Sequence, residues 1–257
     1  MYKISANTLF TGKKCVYLPT CHSTNDIATR ILSNDDTIEG TVVVTPFQTK
    51  GRGQRGNSWE TEADQNLTFS VILKPGFLMA AAQFQLNMAV SLGIFDFLFS
   101  FLSRGVKIKW PNDIYVGDKK IAGILFENYL KKNKIDNSIV GIGININQSE
   151  FETPNAISLS KVTGKKYKLR ETIELVLEKI EARYLQLKAG TLDKMKHDYL
   201  QELYWYQEWR SFEDMRTGQA EPFEGQILGV DKWGKLAIET KKSGVVYFDF
   251  KQVVFVK

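Results

Sequence analysis

Cysteine and histidine are scarce in this chain, which has two of each among its 257 residues. Cys15 and Cys21 lack the CxxC spacing of common zinc and redox motifs, and the two histidines are far apart in the sequence. This composition argues against a zinc site and against a fold built on disulfides. We expect two free thiols in a reducing compartment.

A signal peptide pattern and an uninterrupted membrane span are also missing. Residues 1–14 do not place a basic segment before an apolar one. The longest apolar stretch covers residues 77–102, but Gln83, Asn87 and Asp96 interrupt it, and polar groups are costly in lipid. We therefore expect a buried helix in a soluble, cytoplasmic protein that makes no membrane contact.

Charge of one sign is in only modest excess. The chain has 34 lysines and arginines against 29 acidic residues, for a net charge of +5. This balance permits an anionic partner without requiring one. The apolar fraction of 43% is ordinary for a soluble globular protein, and the length allows one or two domains with buried cores.

Apolar periodicity predicts strands that first alternate with helices and then give way to a purely β tail. From Glu224 onward, short alternating segments separated by DKWG and KKSG predict a small β-barrel. The predicted strands are residues 42–45, 68–73, 106–109, 114–116, 120–128 and 138–145, and the predicted helices are residues 23–33, 79–103, 169–190 and 192–204.

The segment GRGQRGNSWE, residues 51–60, has the Gly-x-Gly-x-x-Gly spacing of dinucleotide-binding loops. That motif needs a helix opening at the third glycine and an acidic residue about 20 positions further on. Neither is present, because NSWETEADQN has no helical period and no carboxylate lies near Ile72. We interpret the segment as a loop between strands, in which Arg52 and Arg55 either grip a phosphate or carboxylate or lie in solvent.

Two further segments combine polar groups with special backbone geometry. KIKWPNDIYVGDKKIAGIL places Trp-Pro-Asn-Asp between two strands, although Pro-Asn-Asp is also common in ordinary turns. Lys120 enters the second strand, where a lysine is either an edge residue or a cation aimed into a pocket. In IVGIGININ, Gly141 and Gly143 indicate that a ligand or another backbone comes close.

Together and in this order, the segments resemble those of the biotin protein ligases, the biotin–[acetyl-CoA-carboxylase] ligase family. The resemblance rests on STND at 23–26, PFQTKGRGQRGNSW at 46–59, KWPNDIYVGDKKIAGIL at 109–125 and GIGININ at 141–147. It implies an α+β fold, in which a mixed β-sheet with packed helices, like the core of class II synthetases, is followed by an SH3-like β-barrel.

The resemblance also implies a division of the chain. We expect a biotin- and ATP-binding catalytic domain in residues 1–208 and the SH3-like domain in residues 209–257. Some members of the family carry an N-terminal DNA-binding winged helix. Since the ligase motifs begin by residue 23 here, we expect the monofunctional type, with no sequence-specific DNA binding.

The implied reaction has two steps and uses ATP and Mg²⁺. The biotin carboxylate attacks the α-phosphorus of ATP, which gives biotinyl-5′-AMP and pyrophosphate. A lysine of a biotin carboxyl carrier protein domain then attacks the mixed anhydride. Catalysis of such a step consists mainly of charge neutralisation and alignment. The implied partners are therefore biotin, ATP and the carrier domain, and a homodimer is one of the assemblies that the resemblance allows.

Individual roles follow from the same resemblance. Lys120, Arg52 and Asp113 are the implied catalytic residues, and Asp113 is also the implied Mg²⁺ ligand. Trp59 is expected beside the adenine, where an aromatic face can stack on a base. The implied biotin contacts are Ser23, Thr24, Asn25, Gln48, Gly51, Arg52, Gly53, Lys120, Gly123, Gly141 and Gly143, and the implied ATP or adenylate contacts are Arg52, Gln54, Arg55, Trp59, Asn112, Lys120 and Asn145.

The glycine loop departs from the family pattern. Many relatives have arginines where Gln54 and Asn57 stand here, so we expect a weaker hold on the acyl-adenylate or a loop that is more mobile before ligand arrives. Residues 50–64 are expected to order over the ligand and exclude water from the anhydride. A permanently ordered hairpin is the alternative.

Two rival functions stay open at this point. A lipoate–protein ligase shares the fold and the adenylate chemistry, although Ser23, Thr24 and Gln48 suit the ureido ring of biotin better than the dithiolane of lipoate. A nucleic-acid-binding module could use the positive charge and the arginine loop. The acidic ETEAD at 60–64, next to the loop, argues against the second rival.

Overall fold

The computed structural model describes residues 4–33 and 37–256, apart from the side chain of Arg55. The strands are β1 Cys15–Tyr17, β2 Thr41–Thr45, β3 Leu67–Leu73, β4 Val106–Lys109, β5 Asp113–Val116, β6 Lys119–Lys131, β7 Lys134–Ile144, β8 Trp209–Asp214, β9 Glu221–Val230, β10 Leu236–Thr240, β11 Gly244–Phe248 and β12 Val253–Phe255. The helices are α1 Thr24–Leu32, α2 Gln83–Leu102, α3 Leu159–Thr163, α4 Leu169–Lys188 and α5 Leu192–Gln201.

The first sheet has seven strands in the order β1-β2-β3-β7-β6-β5-β4. Strands β1 and β2 run parallel, and the remaining neighbours run antiparallel. All residues of β2 and β3 are buried, which fits their nearly continuous β-branched and apolar sequences. The sheet therefore has a fully buried centre at β2 and β3, next to the long hairpin of β6 and β7.

Helix α2 accounts for the long apolar stretch of the sequence. By length and composition the stretch Ala80–Leu102 could cross a membrane, with a mean hydropathy of 1.5. Most of its residues are buried inside the protein, where α2 packs against α4, α5 and β4. A helix that is apolar on all sides is expected in such a position, so packing within the fold explains the composition.

The second sheet is antiparallel, in the order β11-β10-β9-β8-β12, and begins at Trp209. The apolar side chains that it buries belong to the same hydrophobic core as those of the first sheet and its helices. The indole of Trp110 donates a hydrogen bond to the carbonyl of Gly234 at 2.9 Å, and its ring lies 5.3 Å from that of Phe250. These contacts hold one end of the second sheet against the Trp-Pro-Asn-Asp turn.

The predicted α+β class is confirmed, and each strand and helix predicted above is present: β4 has the predicted ends, and the others are shifted at one or both ends. The sequence did not predict β1, β8 or α3, and the β6–β7 hairpin is longer than predicted. Cys15 and Cys21 are free thiols, as expected. Burial raises the pKa of the Cys15 thiol to about 11, so this thiol is protonated at neutral pH.

Candidate active site

An open cavity of about 210 Å³ lies where the four sequence motifs meet on the first sheet. The start of α1, the glycine loop and the turn before β5 surround it, and β3, β6 and β7 contribute its floor. The predicted site residues that line it are Ser23, Thr24, Asn25, Gln48, Arg52, Gly53, Gln54, Trp59, Asn112, Asp113, Lys120, Gly123, Gly141 and Gly143.

Two predicted site residues, Gly51 and Asn145, are not part of the cavity lining. Gly51 lines a neighbouring groove instead of the cavity. Asn145 is buried, donates a hydrogen bond to the carbonyl of Ile157 at 3.2 Å and is not part of the cavity lining. The side chain of Arg55 lies outside the described part of the chain. The cavity thus collects residues from all four motifs, but not every residue of each motif.

A buried polar cluster occupies the cavity wall at the start of α1. The backbone N–H of Thr24 donates to Gln48 Oε1 at 2.7 Å. The hydroxyl of Ser70 lies 2.7 Å from Thr24 Oγ1 and 2.6 Å from Asn25 Oδ1. Ser23 is buried beside them and makes no capping hydrogen bond to α1. These contacts fix the orientation of groups that can recognise a polar ligand.

Ser70 is a member of this cluster that sequence reasoning missed. It is fully buried in the middle of β3, paired with Gly141 on β7. The available signal was a single serine inside the otherwise apolar LTFSVIL. A buried hydroxyl needs a partner, and here its partners are Thr24 and Asn25.

The glycines of β7 are required by close approach of two side chains. A Cβ on Gly141 would lie 2.3 Å from Asn25 Oδ1, and a Cβ on Gly143 would lie 2.2 Å from the Trp59 ring. Trp59 also covers Gly123, the neighbour of Gly143 on β6. The resemblance placed Trp59 beside an adenine. In this structure its indole lies on the glycine floor, with Nε1 buried and without an acceptor among the described residues.

Lys120 is a cavity cation held by a carboxylate. Its Nζ lies 2.7 Å from Asp113 Oδ1 and 5.5 Å from the centre of the Trp59 ring, within reach of a cation–π contact. The two side chains are 31% and 25% exposed. A lysine at the start of an apolar strand thus meets an anion, as burial requires, and its ammonium faces the cavity.

Backbone contacts fix the same lysine from behind. The Lys120 N–H donates to the carbonyl of Asn155 at 2.7 Å, and the Ile157 N–H donates to the carbonyl of Lys120 at 2.9 Å. The preceding turn is locked as well, because Asn112 Nδ2 donates to the carbonyl of Ile124. Asn112 is one of the implied nucleotide contacts, and its amide nitrogen is engaged inside the protein.

The glycine loop folds as a short hairpin. The Trp59 N–H donates to the carbonyl of Gly51 at 2.9 Å, and the Gly53 N–H donates to the carbonyl of Asn57 at 2.7 Å. The guanidinium of Arg52 lies 2.7 Å from Asp26 and 3.2 Å from Glu127. The sequence left Arg52 with an anion or with solvent, whereas here it is paired with two carboxylates of the protein.

The second sheet contributes to the cavity, which the sequence did not predict. Phe250 and Lys251, in the turn between β11 and β12, both line it. The segment FDFKQ carries no motif, so its place in the site depends on long-range packing against Trp110. An aromatic ring and a second lysine are thereby added to the cavity near the Trp-Pro-Asn-Asp turn.

The cavity combines three cations, a carboxylate and a hydrogen-bonding cluster above a floor that contains glycines. Comparison with known proteins decides which family this is. Residues 17–145 match the model of the biotin/lipoate A/B protein ligase family. The chain belongs to this family. The prediction from four ordered motifs is confirmed, as is the ligase class of enzyme.

Individual relatives agree with the family match. The bifunctional ligase/repressor BirA of Bacillus spizizenii is 30% identical over 244 residues, which cover 90% of this chain and 71% of that protein. The biotin–[acetyl-CoA-carboxylase] ligase of Mycobacterium tuberculosis is 30% identical over 64% of this chain and 61% of its own length. The biotin protein ligase of Aquifex aeolicus, solved with biotin and ATP, superposes with a TM-score of 0.77 at 27% identity and covers 95% of this chain and 99% of that one.

Proposed function

We propose that this protein activates biotin with ATP as biotinyl-5′-AMP and transfers the biotinyl group to a lysine of a biotin carboxyl carrier domain. One observation carries the proposal. A rigid polar cluster at Thr24, Asn25 and Gln48 and a carboxylate-paired lysine, Lys120, line one cavity. A ligand with a polar ring at one end and a reactive carboxylate at the other matches that layout.

The pairing of β6 with β7 gives the order in which Asn25, Trp59 and Lys120 follow one another along the cavity floor. Asn25 lies over Gly141, Trp59 lies over Gly143 and Gly123, and the ammonium of Lys120 would approach a Cβ on Gly123 to 3.1 Å. We assign the polar cluster to the ureido ring of biotin and Lys120 to its carboxylate and the developing anhydride. The lysine then neutralises negative charge where the new bond forms.

The nucleotide occupies the side of the cavity next to Lys120 in this proposal. Asp113, Lys120 and the second-sheet residues Phe250 and Lys251 line that side. Lysine ammonium groups bind phosphate as point charges, and an aromatic ring can stack on a base. Phe250 therefore joins Trp59 as a candidate for contact with the adenine.

Magnesium fits this arrangement as a partner of the phosphates. Among the described residues no group of three metal-ligating side chains is present, and Asp113 is the carboxylate on the cavity wall beside Lys120. Mg²⁺ is commonly held by one or two carboxylates together with substrate phosphates. Asp113 would supply a protein ligand, and the ion would supply charge neutralisation at the phosphates.

Lipoate is the alternative substrate within the family. Its dithiolane ring offers no hydrogen-bonding groups to match the polar cluster, whereas the ureido ring of biotin has both donors and acceptors. A site built to hydrogen-bond its substrate rejects an analogue that leaves buried polar groups unpaired. We therefore favour biotin.

Action in the cytoplasm and the absence of sequence-specific DNA binding remain part of the proposal.

Transfer to a carrier tests the complete proposal. A purified biotin carboxyl carrier domain is incubated with the protein, ATP, Mg²⁺ and either biotin or lipoate, and the carrier is weighed by mass spectrometry. We expect one biotinyl group on the carrier, which is lost when the acceptor lysine is replaced by arginine. Modification by lipoate alone would assign the protein to the other branch of the family.

A further inference from the structure

The carboxylate of Glu60 joins two loops beside the cavity. Its Oε1 accepts hydrogen bonds from the Glu152 N–H at 2.9 Å and from Gln148 Nε2 at 3.3 Å, and its Oε2 accepts from the Thr153 N–H at 2.8 Å. Glu60 follows Trp59 directly, at the end of the glycine loop. Three donors on one partly buried carboxylate make a specific connection, and the function proposed above does not use it.

The charged form of Glu60 is favoured by these contacts. Burial alone would raise the pKa of its carboxyl group, but the hydrogen bonds from Thr153, Glu152 and Gln148 outweigh burial, and the pKa lies below its ordinary value. The side chain is therefore an ionised acceptor at neutral pH. Hydrogen bonds to an ionised acceptor are stronger than those between neutral groups.

Each side of this connection leads to Lys120. On one side Trp59 lies on the glycine floor, with its ring 5.5 Å from Lys120 Nζ. On the other side the loop beyond Thr153 reaches Asn155, whose carbonyl accepts the Lys120 N–H at 2.7 Å. Glu60 thus closes a ring of contacts that passes through both the backbone and the ammonium environment of Lys120.

We propose that Glu60 is a positioning residue that aligns Lys120 for the reaction by holding the two loops together. The inference rests on the proposed function of Lys120. Without the connection, Trp59 and the Asn155 backbone shift independently of each other, and the Lys120 ammonium loses its fixed direction. Misplacement of a catalytic group by a fraction of an ångström to 1 Å reduces the rate of the chemical step more than it weakens ground-state binding.

Glu60→Gln is the test variant because it keeps the size of the side chain. Its amide nitrogen would face a backbone N–H donor, so at least one of the hydrogen bonds from Glu152 and Thr153 is lost. Glu62→Gln is the matched control. It makes the same change of charge two residues away on an exposed side chain.

Biotin-dependent pyrophosphate release and thermal unfolding are measured for all three proteins. We expect Glu60→Gln to lower kcat roughly 10-fold, while KM for biotin changes by less than about two-fold. Glu62→Gln is expected to match the wild type. A folded Glu60→Gln protein with wild-type kcat would overturn the inference, as would an equal loss in Glu62→Gln. If Glu60→Gln does not fold, Glu60→Asp replaces it, and wild-type kcat in that shorter variant would overturn the inference as well.

Hydrogen exchange of the backbone separates this inference from the proposed function. In Glu60→Gln at least one of the amides of Glu152 and Thr153 loses its acceptor, so a peptide covering residues 149–157 should exchange faster than in the wild type. Unchanged exchange would show that the connection does not hold the loop. If the wild type releases no pyrophosphate with biotin or lipoate, the proposed function and the positioning role fail together, while the exchange result still decides whether the two loops are joined.

Discussion

Two loops of this molecule are held by the same device, a glutamate carboxylate that accepts backbone N–H groups, in different surroundings. Glu181, on α4, is 4% exposed and accepts from Leu9 at 2.5 Å, Phe10 at 3.0 Å and Thr11 at 2.7 Å. Glu60 is more exposed and holds the loop beside the cavity. The glutamate far from the cavity is enclosed by the protein, whereas the glutamate beside the cavity is partly open to solvent.

Cationic residues differ in the same way. Away from the cavity, Arg183 is 15% exposed and is clamped by Asp96 at 2.6 Å and Asp198 at 2.7 Å. At the cavity, Lys120 and Arg52 are 31% and 43% exposed. A charge that only supports the fold can be enclosed, whereas a charge that must exchange a protein partner for a substrate needs an open side. Cavity substitutions should therefore change activity, and enclosed ones should change stability.

The largest effect is expected for Lys120→Ala. Removing the ammonium takes away charge neutralisation at the reacting carboxylate and phosphate, so biotin-dependent pyrophosphate release should fall about 100- to 1,000-fold. The partly exposed pair with Asp113 contributes little to stability, so the unfolding midpoint should stay near that of the wild type. Lys119→Ala, on the exposed neighbour, is the control. A folded Lys120→Ala protein with near-normal release would remove Lys120 from the proposed chemistry.

Glu181→Gln should show the opposite pattern. Losing charged acceptors for one buried and two partly buried N–H groups should cost about 2–4 kcal/mol of unfolding free energy, measured by chemical denaturation. Activity per folded molecule should be unchanged. Glu178→Gln is the control, because Glu178 accepts a single N–H, from Asn7, in a more exposed position. Equal losses in the two variants would contradict the distinction between enclosed and open sites.

The stability that Glu181 contributes should also depend on pH. Burial raises the pKa of its carboxyl group, but three backbone hydrogen bonds outweigh burial and lower it. A lowered folded-state pKa gives a contribution that is complete above the unfolded value of about 4.3 and is lost as the pH falls through the folded value. The difference in unfolding free energy between wild type and Glu181→Gln should therefore shrink below about pH 4. A constant difference would argue against an ionised Glu181.

Gly143→Ala tests the glycine floor. The added Cβ would lie 2.2 Å from the Trp59 ring, so the indole must move at a cost of about 1–3 kcal/mol. We expect kcat/KM for biotin to fall roughly 10-fold. Gly76→Ala is the control, because a Cβ there meets nothing within 4 Å. Unchanged kinetics in Gly143→Ala would mean that the position of Trp59 on the floor is irrelevant to the reaction.

The smallest effect is expected for Asp26→Asn. The pair of Asp26 with Arg52 is 43% exposed on both sides, and such pairs contribute about 1 kcal/mol or less. Tryptic cleavage after Arg52 should therefore accelerate only a few-fold, because Glu127 still holds the guanidinium. Glu171→Gln, which removes an exposed pair on α4, should leave cleavage unchanged.

The same cleavage assay tests whether residues 50–64 form a lid. If the loop orders over biotin and the adenylate, biotin plus ATP should suppress cleavage after Arg52 in the wild type. Equal rates with and without ligand would favour the permanently ordered hairpin. The hairpin contacts and the pairing of Arg52 are compatible with either result.

Sequence patterns over a few neighbouring residues predicted the features that depend on neighbouring residues alone. Lys120, the Trp-Pro-Asn-Asp turn and the glycines of β7 stood out because their residue types are unusual at their places in strands and turns. The strands β2 and β3 were predicted from continuous apolar sequence. The family resemblance added the polar cluster, because no local rule points to Thr24 or Gln48 as ligand-binding residues.

The remaining features depend on distant parts of the chain. β1 has three residues and is stabilised by parallel pairing with β2. No pattern in the sequence around residues 15–17 predicts this pairing. Phe250 reaches the cavity only because the second sheet packs against Trp110. Trp59 lies on the floor only because positions 123 and 143 lack a side chain. Such contacts follow from the assembled fold, so the sequence placed Trp59 in the site without giving its position.

The most direct test of the proposed function is biotin-dependent release of pyrophosphate from ATP. Purified protein, ATP and Mg²⁺ are incubated with biotin, with lipoate or with neither acid, and mass spectrometry follows the acyl-adenylate in the same samples. We expect pyrophosphate and biotinyl-5′-AMP with biotin, and close to background with lipoate. Release with lipoate and none with biotin would contradict the assignment of the polar cluster at Thr24, Asn25 and Gln48 to the ureido ring, and release with neither would contradict the proposed function itself.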